Sequence, residues 1–252
     1  MAAMGSSAER MLLEMEDWRD FVRSLLADPI WRRRAIRDAS SLPPQILADP
    51  SVVELIAGES QVEPCPLQFA SLECRSMRHI VQIAVRSHGC ALEWAGDHLK
   101  DERELVLEAI GTSGGNALEH ASPRLRDDFQ VVLRAVSEFG MVLADASPAM
   151  RNNKVICLAA VRNCGLALKD CGLAITSDPE VVLAAVQAGQ SLRPSLRPGP
   201  WALRYAGPSL LHDSNFLRVV FSLECWRQFP HQDQDELLRQ LGWAPHTPCR
   251  AA

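Results

Sequence analysis

Two sets of polar and aromatic side chains recur at near-constant intervals along this 252-residue chain. The first is Phe69, Trp94, His120, Asp145, Asp170 and Tyr205, with steps of 25, 26, 25, 25 and 35 residues. It offers stacking, hydrogen bonding and ion pairing at successive positions of one frame. The second is Arg75, Lys100, Arg126 and Arg151, a row of cations that could meet an acidic peptide or a phosphate backbone. His231, Asp233, Asp235 and Glu236 could ligate a metal, but acids at the solvated start of a helix, favoured there by its dipole, account for them. Cys157, Cys164 and Cys171 are spaced by sevens. Gly165 separates two helices between them, so the spacing reads as a coincidence of columns, and no Cys-x-x-Cys pair supports a metal site. There is no phosphate-binding Gly-rich loop, no His-Glu-x-x-His and no Gly-x-Ser-x-Gly. No catalytic residue, metal or cofactor is expected.

The frame behind these columns is a repeat. Ala-Val or Ala-Ile recurs at Ala84, Ala109, Ala135, Ala160 and Ala185, in steps of 25, 26, 25 and 25 residues, and such a period marks one small unit copied many times. The fullest units begin at Asp101, Asp127, Asn152 and Ser177, residue types that cap helix N-termini. A Val-Val-Leu-x-Ala-Val core follows, apolar on one broad helical face. Gly89, Gly115, Gly140, Gly165 and Gly189 read as helix stops in the left-handed conformation. A second, shorter helix then reads Ala-Leu-x-x-Ala, as at Ala91–Ala95 and Ala117–Ala121, and Ser122-Pro123 and Ser147-Pro148 read as its stop. Six residues after the last Ala comes the next cap. A unit with helices of about ten and six residues cannot bury its own apolar face, so neighbours must cover it.

The expected architecture is all-α: tandem helix-turn-helix repeats of about 25 residues in a solenoid or superhelical array. About six units fill residues 49–223, the first and last degenerate, with an insertion near 191–200. Residues 1–48 form an N-terminal segment, helical over 9–26 and irregular or a worn repeat over 27–48. Residues 224–252 form a short helix, Asp233 to Leu241, closed by Gly242, and a tail.

These columns resemble the helical-repeat family called domain of unknown function 4116. The resemblance is closest at Asp178-Pro179-Glu180-Val181-Val182-Leu183-Ala184-Ala185-Val186, at Gly89 to Ala95 and at Leu125-Arg126-Asp127-Asp128. It covers about residues 49–223. The Ser191–Pro200 insertion, Asp145 and Asp170 in place of an aromatic, and Arg218 in the last copy depart from it. The resemblance implies a helical-repeat fold and transfers no activity.

The remaining composition narrows the function. Net charge is −5, which argues against general nucleic-acid binding. The 26 basic residues include only three Lys, as a GC-rich codon bias would give. No run approaches the roughly 20 apolar residues of a membrane span, and acids at Glu9, Glu14, Glu16 and Asp17 occupy the place of a signal sequence. An intracellular, cytoplasmic chain with reduced thiols is therefore expected. Cys157 stands in a column of Val81, Val106, Val132 and Val182 and reads as a small apolar residue. The expected partner is another protein. Nucleic acid is the alternative partner, and a regulatory fragment of an enzyme the alternative role. Trp94, His120, Asp145, Asp170 and Tyr205, with Arg75, Lys100, Arg126 and Arg151, are the candidate contact residues. Two local explanations compete: packing between units for Phe69, Trp94 and Tyr205, and turn ion pairs with Asp101, Asp127 or Asp128 for the cations.

Overall fold

Each repeat begins with a helix of nine to eleven residues that buries an apolar face. In Phe129–Glu138 the side chains of Val131, Val132, Ala135 and Val136 are fully buried; in Lys154–Asn163 they are Ile156, Cys157, Ala160 and Val161. Burying a Val- or Ile-sized side chain contributes about 1.5–3 kcal/mol, so this stripe is the main stabilising feature of a unit. The structure is a computed structural model that describes residues 27–42, 44–59, 65–188 and 199–242. The expected helix over 9–26, nearly all of the insertion and the tail from residue 243 lie outside the described residues. Among the described residues there is helix and turn but no strand, and the fold is a set of tandem helical repeats. The chain divides into two compact units, with the boundary between Lys100 and Asp101.

The repeat has three elements rather than the two expected. After the long helix comes a tight 3-10 helix (Gly89–Trp94, Asn116–His120, Gly140–Asp145, Gly165–Asp170, Gly199–Tyr205). Its Ala-Leu pair and closing Ala turn inward: Ala167 and Leu168 are fully buried and Cys171 nearly so. The 3-10 form replaces the expected α-helix because the closing N–H bonds three residues back, as Ala146 N does to Leu143 O at 3.2 Å. Then a one-turn helix intervenes (Leu72–Ser76, Asp97–Lys100, Leu125–Asp127, Pro148–Arg151, Leu173–Thr176, Pro208–Leu211). Ser-Pro therefore starts an element instead of only stopping one. The hydroxyl of Ser147 accepts from Met150 N at 3.2 Å, and Pro148 takes the first helical position, where its missing N–H is not needed.

This extra turn moves the caps of the long helices one residue along. The cap is Asp128, not Asp127; Asn153, not Asn152; Asp178, not Ser177; and Glu102, not Asp101. Asp128 Oδ1 accepts from Gln130 N and Val131 N at 2.9 and 3.0 Å. The residues expected as caps face the next repeat. Asp101 accepts from Ser122 Oγ and from Arg124 Nε, the latter at 2.9 Å, and Asp127 accepts from Ser147 Oγ. Where the earlier residue is Asn152 or Ser177, the facing residue is Gly172 or Gly207. A methyl there would lie 1.8 Å from Asn152 Oδ1 or 2.2 Å from Ser177 Oγ.

Of the repeat glycines expected to be left-handed, Gly115 is, at φ 100°, Gly189 lies outside the described residues, and the others differ. Gly140 and Gly165 are not left-handed; the only described residues with positive φ are Gly114, Gly115 and Gly242. They are needed because the next repeat's backbone presses on them. A methyl on Gly140 would lie 2.3 Å from Ala160 O, and one on Gly165 2.2 Å from Ala185 O. The Gly of one unit thus fits the Ala of the Ala-Val marker of the next, which explains both columns together.

The described residues between 27 and 48 hold a helix and a 3-10 turn. The helix Pro29–Arg37 begins at Asp28, whose Oδ1 accepts from Ile30 N at 2.8 Å, and a 3-10 turn spans Ala39–Ser41. Ala35, Ala39 and Ile46 form a core with Val52 and Ile56, against which Phe69 packs. At the other end the last long helix is Ser214–Ser222, capped by Asp213 as expected. Trp201, Trp226 and Phe229 cluster beyond it, and the helix His231–Gln240 packs on Gly199–Tyr205. It begins before the expected Asp233.

Candidate functional site

Within each of the two compact units, one-turn segments are tied to the following repeat by a backbone hydrogen bond. The carbonyl of the last-turn residue of the one-turn helix accepts from the N–H that opens the following one-turn segment. Gly96 N bonds Arg75 O at 2.9 Å, Ser147 N bonds Arg126 O at 2.9 Å, and Gly172 N bonds Arg151 O at 2.8 Å. Gly207 N bonds Thr176 O at 2.7 Å. Arg75, Arg126 and Arg151 of the basic column are therefore held at the seam between repeats by their own main chain.

The side chain of Arg75 reaches the first column, and among the described residues no ion pair joins Arg75, Lys100, Arg126 or Arg151 to the turn acids Asp101, Asp127 and Asp128. In the unit ending at Lys100, Arg75 Nε donates to Ala70 O at 2.9 Å and Nη2 to Gln68 O at 2.5 Å. Its guanidinium lies 5.8 Å from the ring centroid of Trp94, at cation–π range. Trp94 ends its 3-10 helix and is half-buried, and Lys100 ends that unit, also half-buried.

In the unit from Asp101 onward, His120, Asp145, Asp170 and Tyr205 each end a 3-10 helix and each is half-buried. Successive 3-10 helices touch, so the four share one column. Burial pushes the Asp145 carboxyl up and Glu119 and Asp170 add to that, while Arg126 and His120 oppose it. Burial likewise pushes Asp170 up against Lys169 and Arg151. Lys169 Nζ stands 3.9 Å from Asp170 Oδ2, beyond hydrogen-bond reach. Arg126 Nε, Arg151 Nε and Asp170 Oδ2 are shielded from solvent without a hydrogen-bond partner. The next rung changes chemistry: Thr176 replaces the cation, buried and donating to Leu173 O at 3.0 Å. Tyr205 there lies 5.9 Å from the guanidinium of Arg204.

The two columns read separately from the sequence come together within each unit: Arg75 with Trp94 in one, and in the other Arg126 and Arg151 close enough to Asp145 and Asp170 to oppose the upward push on their carboxyls, a ladder of neighbours without a direct ion pair. Sequence reasoning missed Glu119, which faces Asp145. It also missed two bridges along the starts of the long helices, Arg103 to Asp128 at 3.7 Å and Lys154 to Asp178 and Glu180 at 2.7 Å each. The signal was present as a cation one residue after each cap, at Arg103 and Lys154. His231, Asp233, Asp235 and Glu236 lie in the first two turns of the C-terminal helix. Among the described residues no group of three His, Cys, Asp or Glu side chains is arranged to hold a metal ion, and no helix is long and apolar enough to cross a membrane.

No curated protein and no solved structure matches the chain. The family described as Domain of unknown function (DUF4116) matches it three times in tandem, over residues 77–126, 102–151 and 128–173. Each match starts at the cap of a long helix (Met77, Glu102, Asp128) and spans about two of the structural repeats. Residues 77–173 are accordingly a run of helical repeats resembling those of the DUF4116 family.

Proposed function

We propose that this chain is a non-enzymatic, intracellular helical-repeat scaffold that binds another protein through the ladder. The observation that carries the proposal is the contrast between frame and side chains. From rung to rung the backbone tie repeats with little change, while the residue presented goes from His120 to Asp145, Asp170 and Tyr205. Asp145 and Asp170 are held half-buried although burial disfavours their charge, and Asp170 Oδ2 lacks a hydrogen bond. Packing alone would favour an apolar residue there. An incoming donor group would satisfy it. Trp94 and Arg75 make a pair of their own in the other unit.

The test is capture by the tagged full chain from lysate of its source organism, with and without nuclease, followed by binding measurements on the proteins recovered. The variant His120→Ala/Asp145→Asn/Asp170→Asn is expected to weaken binding by roughly tenfold or more with an unchanged circular dichroism spectrum. Unchanged affinity would remove the ladder from the interface. Capture that disappears with nuclease would replace the protein partner by nucleic acid.

A further inference from the structure

The fold brings together two cysteines that the sequence leaves 14 positions apart. Cys157 lies on the long helix Lys154–Asn163, and Cys171 closes the 3-10 helix Gly165–Asp170 that packs back on it. The two thiols are neighbours that shift each other's titration in opposite directions. Cys157 Sγ donates to Arg151 O at 3.1 Å, and Cys171 Sγ approaches Ala167 O at 3.6 Å. The spacing by sevens is therefore no mere coincidence for the outer two residues.

The internal repeat shows that this pair is unusual. The same two positions are Val53 and Ala70, Val81 and Ala95, Val106 and Ala121, Val132 and Ala146, and Val182 and Ala206, all buried. In five repeats these two positions hold Val and Ala. In one repeat both members are Cys. Filling a small apolar site explains one cysteine and gives no reason for two to coincide across a contact.

We propose that Cys157 and Cys171 are a redox-active dithiol, a modification site that a hydroperoxide closes to a disulfide within one repeat. Beside Cys171, Cys157 is the easier thiol to deprotonate, while its neighbour Cys157 and burial push Cys171 up. The Cys157 thiolate attacks one peroxide oxygen. An S–O bond forms, the O–O bond breaks, and the leaving hydroxide takes up the proton Cys157 released, giving a sulfenic acid and water. Cys171 then loses its proton as its sulfur attacks the sulfenic sulfur. The S–S bond forms, the S–O bond breaks, and hydroxide leaves to combine with that proton as a second water. Two thiols and one peroxide become one disulfide and two waters. Cys171 retains 9% of its surface exposed, so the pair sits one layer beneath the surface that a small oxidant reaches.

The experiment titrates the reduced full-length protein with hydrogen peroxide, quenches it, and maps disulfides by mass spectrometry of a non-reduced digest. Exposed Cys90 calibrates the oxidant dose. The expected result is a cross-linked peptide pair holding Cys157 and Cys171, with two thiols lost per chain. In Cys171→Ser a sulfenic acid trapped on Cys157 by dimedone should replace it. Cys157→Val/Cys171→Ala restores the pair found in the other repeats; it should keep its helical spectrum and lose those two oxidisable thiols. Complete oxidation of Cys90 with Cys157 and Cys171 still reduced would overturn the proposal, as would unchanged thiol loss in the double variant.

Discussion

Gly165→Ala adds one methyl group and tests the packing rule of the array. The new carbon would lie 2.2 Å from Ala185 O and 3.2 Å from Ala185 C. Carbon–oxygen contacts settle at about 3.3–3.6 Å even when attractive, so the methyl arrives about 1 Å too close. Both sides of the clash are backbone, so no side chain can swing away and the two repeats must separate. Overpacking of this kind costs about 1–3 kcal/mol. Restricting the unfolded chain by replacing glycine returns about 0.4–1 kcal/mol. The net loss is about 1–2 kcal/mol, or roughly 2–8 °C in Tm for a chain of this length. Gly111→Ala is the matched control: Gly111 lies within the helix Arg103–Ser113, has no positive φ, and a methyl there meets nothing within 4 Å. It should stabilise by about 0.5–1 kcal/mol, as Ala does over Gly inside a helix. Thermal melts followed by circular dichroism at 222 nm should therefore move in opposite directions. A Gly165→Ala protein that melts with or above Gly111→Ala would refute the close approach of Gly to the Ala carbonyl.

Three further outcomes follow from the same geometry. Asp128→Ala should lose about 0.5–2 kcal/mol and speed hydrogen exchange at Gln130 and Val131, whereas Asp127→Ala should leave those two amides protected; the reverse would put the cap back at Asp127. Gly172→Ala should destabilise through Asn152, and adding Asn152→Ala should recover about 0.5–3 kcal/mol of that loss in a double-mutant cycle; strict additivity would show that the two residues do not meet. Asp170→Asn should raise Tm at pH 7. The folded carboxyl titrates above its unfolded value of about 3.9, so folding favours the neutral form. The stability tied to that form is complete below the unfolded value and is lost as pH rises through the folded one, so the gain should shrink toward pH 4. A lower Tm at pH 7 would mean that attraction to Lys169 and Arg151 outweighs burial.

Much of this molecule is written locally. Ala-Val every 25 or 26 residues, Ala-Leu-x-x-Ala and the Val-Val-Leu-x-Ala-Val core place the long helices and their buried face without any tertiary knowledge, because each helix must hide one stripe. The worn copies at Asp49 and Asp213 were legible for the same reason. What the sequence misassigned was decided between repeats. Gly165 looks like a helix stop in isolation and is a contact point only once Ala185 O lies against it. Asp127 looks like a cap until Ser147 of the next unit claims its carboxylate. Arg126 and Asp145 belong to separate columns in the sequence and to one rung in the fold, because the one-turn helix carries the cation across the seam. Cys157 and Cys171 are two small apolar substitutions on paper. Only the return of the 3-10 helix onto its own long helix makes them a pair.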